Sequence, residues 1–586
     1  MDKRTIIGIV IIAAVLILMP YYLELVNGKT DETTELTLSD TSATSQSDIT
    51  ATENKPFDER SRVKEPELLD VQEEIPEDLI LEDQKAQASM DTIPVKEVYI
   101  RTSMYDVLIS TDGADITSMK SRKFLDLQEK PLEFCSHQVV GPNFPLNAYS
   151  GKTEITSVGT RFVTDKDSLI LTESDTIGEV TFVGLLKNGL ILKRIYHFNF
   201  QNNSFVHTTI IGGDTVGYNI DESVLWWKKG LEPSSPDVKQ NVNSSYRIGY
   251  MMGGDYSDEK FSDDKTPKVS FDGNTEYVAT HNKYFVVIIT PVKGVGTGVR
   301  SDGFWYESDE FSDKEYAIPA LGIGLAQIGG KVPLQRSDLI YIGPRDHNLL
   351  KSYGRGFEET VDLGWSFLAP LTKLFLYIFE MLYGLLKNYG LVIVVFSILI
   401  KLLLYPLSKK QLKSMAHMKE LEPKMAELRE KYKSDVKKLN EETMKLYQKE
   451  GVNPLGGCLP LLPQMPIFFA LFSMLRNSFA LRGSPFIFWI QDLAQKDPYY
   501  ILPILMGITM FVQQKITVKD PKQKMMVYIM PAFFLFLFRN MPSGLVLYWL
   551  TFNILSLAQT LWIQKTHTPK TSVAPVAAET SPDSNG

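Results

Sequence analysis

The sequence predicts a polytopic α-helical membrane protein that carries a large all-β domain outside the membrane, and three observations lead there. Beyond about residue 364, long apolar runs replace the mixed sequence of the earlier chain. Between Ile93 and Gly343, short alternating runs are separated by turn residues, and no helical period recurs. Lysines crowd residues 409 to 449 and return at Lys515, Lys519, Lys522 and Lys524, which puts both loops on the cytoplasmic side of a bilayer. The formal net charge of -9 averages an acidic first third with these basic loops, so it selects no class of partner.

Taken in order, the chain opens with Lys3 and Arg4 before an apolar run from Thr5 to Leu18. Met19, Pro20, Tyr21 and Tyr22 then stand where a cleavage site needs small residues. Residues 1–26 are expected to be an uncleaved signal anchor with its N-terminus in the cytoplasm. Residues 27–91 are rich in Thr, Ser, Asp and Glu and poor in aromatics, so they cannot offset the entropy of ordering and are expected to form a disordered tether.

Residues 92–350 are expected to form the β domain. Val95 to Ile100, Asp106 to Ser110, Leu190 to Phe200 and Lys283 to Thr290 have strand length and pattern, with turns expected at Asp112-Gly113, Gly212-Gly213 and Asp272-Gly273. Only two cysteines occur, Cys135 and Cys458, and the topology assigns them to different compartments, which excludes a disulfide framework.

Trp365 to Leu386 has the length of a span but holds Lys373, Glu380 and Pro370. Were it to cross, the lysine-rich segment after it would lie outside, so residues 357–388 are expected as an amphipathic helix on the outer interface. Tyr389 to Leu407, YGLVIVVFSILIKLLLYPL, is a span with a single charge, Lys401.

Residues 408–451 alternate apolar positions at helical spacing on both sides of Ser434-Asp435, which predicts a cytoplasmic helical hairpin capped there. Pro423 should kink the first arm and Gly451 should end the second. Pro454 to Asn477, Tyr499 to Gln514, Met525 to Phe538 and Ser543 to Ile563 follow as spans. With the anchor and the Lys401 helix they give six transmembrane helices, both termini inside, and a core over residues 389–563. Residues 564–586 are expected to be a disordered cytoplasmic tail.

A lysine near the middle of a span costs roughly 2.5–3.5 kcal/mol on insertion scales. Ser397, Lys401 and Tyr405 fall on one helical face. Gln464 lies among prolines, Thr509 and Gln513 are one turn apart, and Trp549, Asn553, Ser556 and Thr560 form another stripe. These groups either line one shared wet cavity around Lys401 or serve as ordinary helix-to-helix glue, with Lys401 snorkelling towards the headgroups. The methionines Met415, Met418 and Met425 of the hairpin are either core filler or a flexible surface for apolar partners. No phosphate-binding loop, HExxH or CxxC motif occurs, and the histidines lack metal-ligand spacing, so no cofactor and no metal are expected.

The segments LLLYPLSKKQLKSMAHMKELEPKM (Leu402 to Met425), KEGVNPLGGCLPLLPQMPIFFALF (Lys449 to Phe472), DPYYILPILMGITMF (Asp497 to Phe511) and MPSGLVLYW (Met541 to Trp549) resemble the YidC membrane protein insertase family, the bacterial branch of the YidC/Oxa/Alb group. With its anchor and outer β domain the chain is similar to the Gram-negative form. That resemblance implies a β-supersandwich periplasmic domain, an inner-membrane location, and a hydrophilic groove open to cytoplasm and bilayer. It also implies a non-enzymatic insertase and chaperone, working on nascent inner-membrane proteins in the phospholipid bilayer, alone or with the Sec translocon.

By position the family's groove cation, usually Arg, falls here on Lys401, and Gln464, Trp549 and Asn553 fall on groove-lining helices. The hairpin falls on the loop implicated in client capture. Relatives often end in a basic extension that helps hold the ribosome, where this chain keeps only Lys565 and Lys570. Two rival readings are a small-anion transporter with Lys401 as counter-ion, for which no inverted repeats are found, and a carbohydrate-active enzyme, because the supersandwich is shared with sugar mutarotases.

Overall fold

The computed structural model describes residues 94–126, 129–135, 139–186, 188–213, 218–235, 245–260, 269–306, 318–406, 421–433, 435–451, 461–517 and 524–566. The expected anchor, the tether and the tail beyond Thr566 lie outside them. The described residues fall into two compact units that divide between Asp362 and Leu363.

The first unit holds two sheets. The smaller contains β1 (Glu97–Arg101), β2 (Tyr105–Ser110), β3 (Asp115–Leu125), β4 (Pro131–Glu133) and β8 (Ser168–Ile170), in the order β4-β3-β2-β1-β8, with β1 and β8 parallel and the other pairs antiparallel. The larger is built from β5 (Leu146–Ser150), β6 (Thr153–Thr156), β7 (Phe162–Thr164), β9 (Ile177–Leu185), β10 (Ile191–Asn199), β11 (Ser204–Gly212), β12 (Glu222–Trp227), β13 (Arg247–Met252), β14 (Asp255–Lys260), β15 (Ser270–His281), β16 (Phe285–Pro291), β17 (Gly296–Tyr306), β18 (Ile318–Ile328) and β19 (Leu334–Pro344). Its order is β6-β5-β12-β18-β17-β15-β16-β19-β11-β10-β9-β7, with β13 pairing β14 and β15 off that path.

Sequence pattern explains these positions. β9 alternates buried and less buried residues, as a strand with one covered face does. The apolar run at Lys283 to Thr290 becomes β16, buried at every residue between β15 and β19. Asp272-Gly273, expected as a turn, lies inside β15 instead. There the pairing with β17 shifts register between Asp272 and Thr275, so the glycine serves a bulge rather than a chain reversal.

Two buried arginines tie this unit together. Arg194 on β10 donates to Gly113 O and Phe144 O, both at 2.8 Å, and to His207 Nε2 at 3.0 Å. It thereby links the larger sheet to the turn between β2 and β3. Arg336 and Asp338 on β19 form a bidentate pair at 2.8 and 3.0 Å, with Arg336 also donating to Ser223. The unit continues past β19 through α1 (His347–Lys351), capped by Asp346, to a 3-10 turn at Phe357–Thr360, where Phe357 packs against Tyr277, Tyr341 and Tyr353.

The second unit is helical: α2 (Ala369–Leu386), α3 (Tyr389–Leu403), α4 (Glu422–Lys431), α5 (Val436–Lys449), α6 (Leu461–Asn477), α7 (Ile501–Thr517), α8 (Lys524–Phe538) and α9 (Ser543–Thr566). Among the described residues, α2 and the Ser543–Trp562 part of α9 are long and apolar enough to cross a membrane, while α3, α7 and Val527–Phe538 of α8 are apolar but shorter. The helix expected to lie on the interface thus meets the length and hydropathy of a span, with 22% of it buried.

In the hairpin, Asp435 Oδ1 caps α5 by accepting from Lys438 N at 2.9 Å, and Gly451 follows its end at φ 66, a left-handed position that glycine takes without strain. Pro423 occupies the first turn of α4, and the part of the arm before it, residues 407–420, where a kink would be seen, lies outside the described residues. Lys424 Nζ and Glu450 Oε1, 2.6 Å apart, join the two arms across solvent.

The N-termini of α3, α7 and α9 meet at one end of the helical unit, and the loop between α6 and α7 closes that end. Asp497 is buried and accepts from Tyr499 N at 3.0 Å, Leu502 N at 2.7 Å and Trp489 Nε1 at 3.0 Å. Ser543 donates through its N and Oγ to Gln495 O, and Gly544 N donates to Leu493 O at 2.9 Å. Phe486 packs so tightly over Gly390 that a Cβ there would overlap its ring.

Two predictions follow from these contacts. Burial first, then nearby arginines, hold His207 and His281 well below the usual histidine range, so both stay neutral when folded. The unfolded chain binds more protons below about pH 6.5, so the β unit should lose up to roughly 1.4 kcal/mol per pH unit per histidine below that point. Calorimetry of the full chain should show this slope and its flattening in a His207→Gln/His281→Gln variant; an unchanged slope contradicts it. Asp497→Ala should destabilise the helical unit by about 1–3 kcal/mol, because three donors lose their acceptor. Thermal unfolding in detergent should register that loss and a smaller one for Asp497→Asn, whose amide oxygen still accepts.

Candidate functional site

The charge inside the helical unit sits where α3 meets α9. Asn388 starts α3 by accepting from Leu391 N at 3.0 Å, and this phase buries Val392, Ile393, Phe396, Ser397 and Ile400 on one face. Lys401 follows on the edge of that face. Its Nζ donates to Ser556 Oγ at 2.7 Å and stands 4.6 Å from the centroid of the Phe552 ring. Ser556 Oγ in turn donates to Phe552 O at 2.8 Å, so the hydroxyl bridges the ammonium and the α9 backbone. No Asp or Glu occurs within α3, α6, α7, α8 or α9. The ammonium is therefore held by one hydroxyl and one aromatic face, which leaves N–H donors available for another group.

The other expected site residues divide. Ser397 is fully buried, but its Oγ donates to Ile393 O at 2.7 Å, and Thr509 Oγ1 donates to Met506 O at 2.8 Å. Both are satisfied by their own helices. Tyr405, Gln464 and Gln513 are half-buried. Trp549 stands in an aromatic cluster with Phe468, Phe534 and Phe538 at centroid distances of 5.1, 6.2 and 5.6 Å, so its ring joins α6, α8 and α9. Asn553 is 8% exposed and its Nδ2 has no partner. Met425 is half-buried on α4, while Met415 and Met418 lie outside the described residues.

Three contributors were not singled out from the sequence as site residues. Phe552 and Ser556 touch Lys401 directly, and Gln559 is 9% exposed with neither amide atom partnered. Ser556 was visible as part of a polar stripe. Gln559, three residues further on, belongs to the same face, and a spacing of three would have found it.

Comparison with known proteins agrees across both units. A family model described as the YidC periplasmic domain matches residues 97–378, and one described as 60Kd inner membrane protein matches residues 381–570. The chain is 34% identical over 484 residues to the membrane protein insertase YidC of Syntrophus aciditrophicus (strain SB), across 80% of this chain and 85% of the relative. It is 34% identical over 486 residues to the membrane protein insertase YidC of Geobacter metallireducens, across 80% of this chain and 86% of the relative. A crystal structure of an active YidC insertase with the first transmembrane domain resolved is similar at 20% identity and a TM-score of 0.36, over 80% of this chain and 92% of that one. The chain belongs to the YidC family of membrane protein insertases, inner-membrane proteins with a periplasmic domain.

Proposed function

We propose that the protein inserts nascent inner-membrane proteins through a hydrophilic groove whose charged centre is Lys401. The observation that carries this reading is the Lys401 ammonium held inside an apolar helical unit by Ser556 and the face of Phe552, with no carboxylate on α3 or on α6 to α9 to neutralise it. A cation so placed lowers the cost of bringing an acidic or polar client segment partway across the bilayer. The client's apolar segment meanwhile moves into lipid beside it. Each step exchanges one polar environment for another, so no nucleotide is needed.

The rest of the chain fits this role. Six spans with both termini in the cytoplasm give the positive-inside arrangement, with α2 on the outer interface; if α2 crossed instead, the lysines of residues 409 to 449 would face outward. The loop held by Asp497 then closes the periplasmic end of the groove, which leaves entry from the cytoplasm and the bilayer. The hairpin carrying Met415, Met418 and Met425 offers flexible thioethers to varied apolar clients at that entrance. The Sec translocon and the ribosome are the partners this role implies, the ribosome through the basic cytoplasmic loops.

Purified protein in proteoliposomes tests the assignment. Lys401→Ala should slow insertion of a client with an acidic translocated segment about tenfold while changing a neutral-segment client much less, since one desolvated charge contact is removed. A photo-cross-linker at Lys401 should capture stalled nascent chains. Equal slowing of both clients removes the electrostatic role, and absence of any adduct contradicts the groove.

A further inference from the structure

Most of the short polar side chains on the apolar helices have spent their hydrogen bonds locally. Ser397, Thr509, Thr551, Ser556 and Thr560 each donate to a carbonyl three or four residues back in their own helix. The two buried amides of α9 have not. Asn553 Nδ2, Gln559 Nε2 and Gln559 Oε1 are buried without a partner, in side chains 8% and 9% exposed.

An unsatisfied buried amide disfavours the folded state, and leucine in its place would pack without that penalty. Helix-to-helix glue does not account for these residues, because glue requires a partner on the neighbouring helix. Their spacing is regular. At about 100° per residue, Asn553 and Gln559 fall roughly 60° to either side of Ser556, and at about 1.5 Å rise they stand roughly 9 Å apart along the helix. An extended peptide covers that distance in about three residues.

We propose that Asn553 and Gln559 are backbone-binding residues, which take peptide C=O and N–H groups of a client's hydrophilic segment on either side of the Lys401–Ser556 contact. A primary amide presents both a donor and an acceptor, the complement of a peptide group, and it reads no side chain. Lys401 would then select by charge while the two amides hold any sequence. This rests on the insertase reading above and adds a second, charge-independent set of contacts to it.

The test uses the full chain in proteoliposomes and synthetic clients with a neutral polar translocated segment, with or without amide-to-ester replacements in that segment. The protein as it stands should insert the ester client about tenfold more slowly, because a replaced N–H donor leaves the Gln559 Oε1 acceptor unpaired. Gln559→Leu should insert both clients at the same reduced rate. Its thermal midpoint should equal or exceed that of the unmodified protein. Lys401→Ala should keep the ester sensitivity. Equal ester sensitivity in Gln559→Leu, or a lowered thermal midpoint with unaltered insertion, overturns the proposal and makes Gln559 a structural residue. Failure of the unmodified protein to insert either client contradicts the insertase reading itself.

Discussion

A single ammonium group inside an apolar bundle sets the terms for the helical unit. Lys401 has no carboxylate within reach on its own helix or on α6 to α9, and a bare cation there would be too costly to keep. Ser556 and Phe552 make it tolerable by offering one acceptor and one electron-rich face, without consuming its charge. That compromise requires α9 to present a polar face to α3 along a helix that is otherwise apolar enough to cross a membrane. On the same helix Asn553 and Gln559 are buried with unpartnered amide atoms, which is where the proposed client contacts are placed.

The β unit solves the same problem in the opposite way. Arg194 places four of its five N–H donors on backbone carbonyls and His207 among aromatic rings, and Arg336 places all five, two of them on Asp338. Buried cations whose donors are nearly all assigned fix a structure, whereas a buried cation with most donors left over can act on something that arrives. The contrast fits the proposed site on the helices.

Much of this was legible in the sequence, because periodicity and charge asymmetry are local signals. The strand runs appear within a few residues of their expected places, as β1, β2, β10 and β16, and the apolar runs become α3, α6, α7, α8 and α9. Asp435 caps the hairpin as its side chain suggested. What the sequence could not supply was partnership at a distance. Lys401 and Ser556 are 155 residues apart, and nothing local to either marks the other. Ser397 lies on the expected face yet turns its hydroxyl back to Ile393, and Trp549 belongs to an aromatic cluster spread over three helices. Asp272-Gly273 carries a turn signature and forms a bulge, since the pairing with β17 on both sides of it in sequence overrides local preference.

In the proposed groove, the face of α9 towards Lys401 is wetted from the cytoplasm and shut off at the end closed by Asp497. A cysteine at position 553, in a chain whose Cys135 and Cys458 are replaced by serine, reports on this with a membrane-impermeant maleimide. Labelling is expected in inside-out inner-membrane vesicles and none when the reagent is added to right-side-out vesicles. No labelling from the cytoplasmic side, or equal labelling from both, contradicts it.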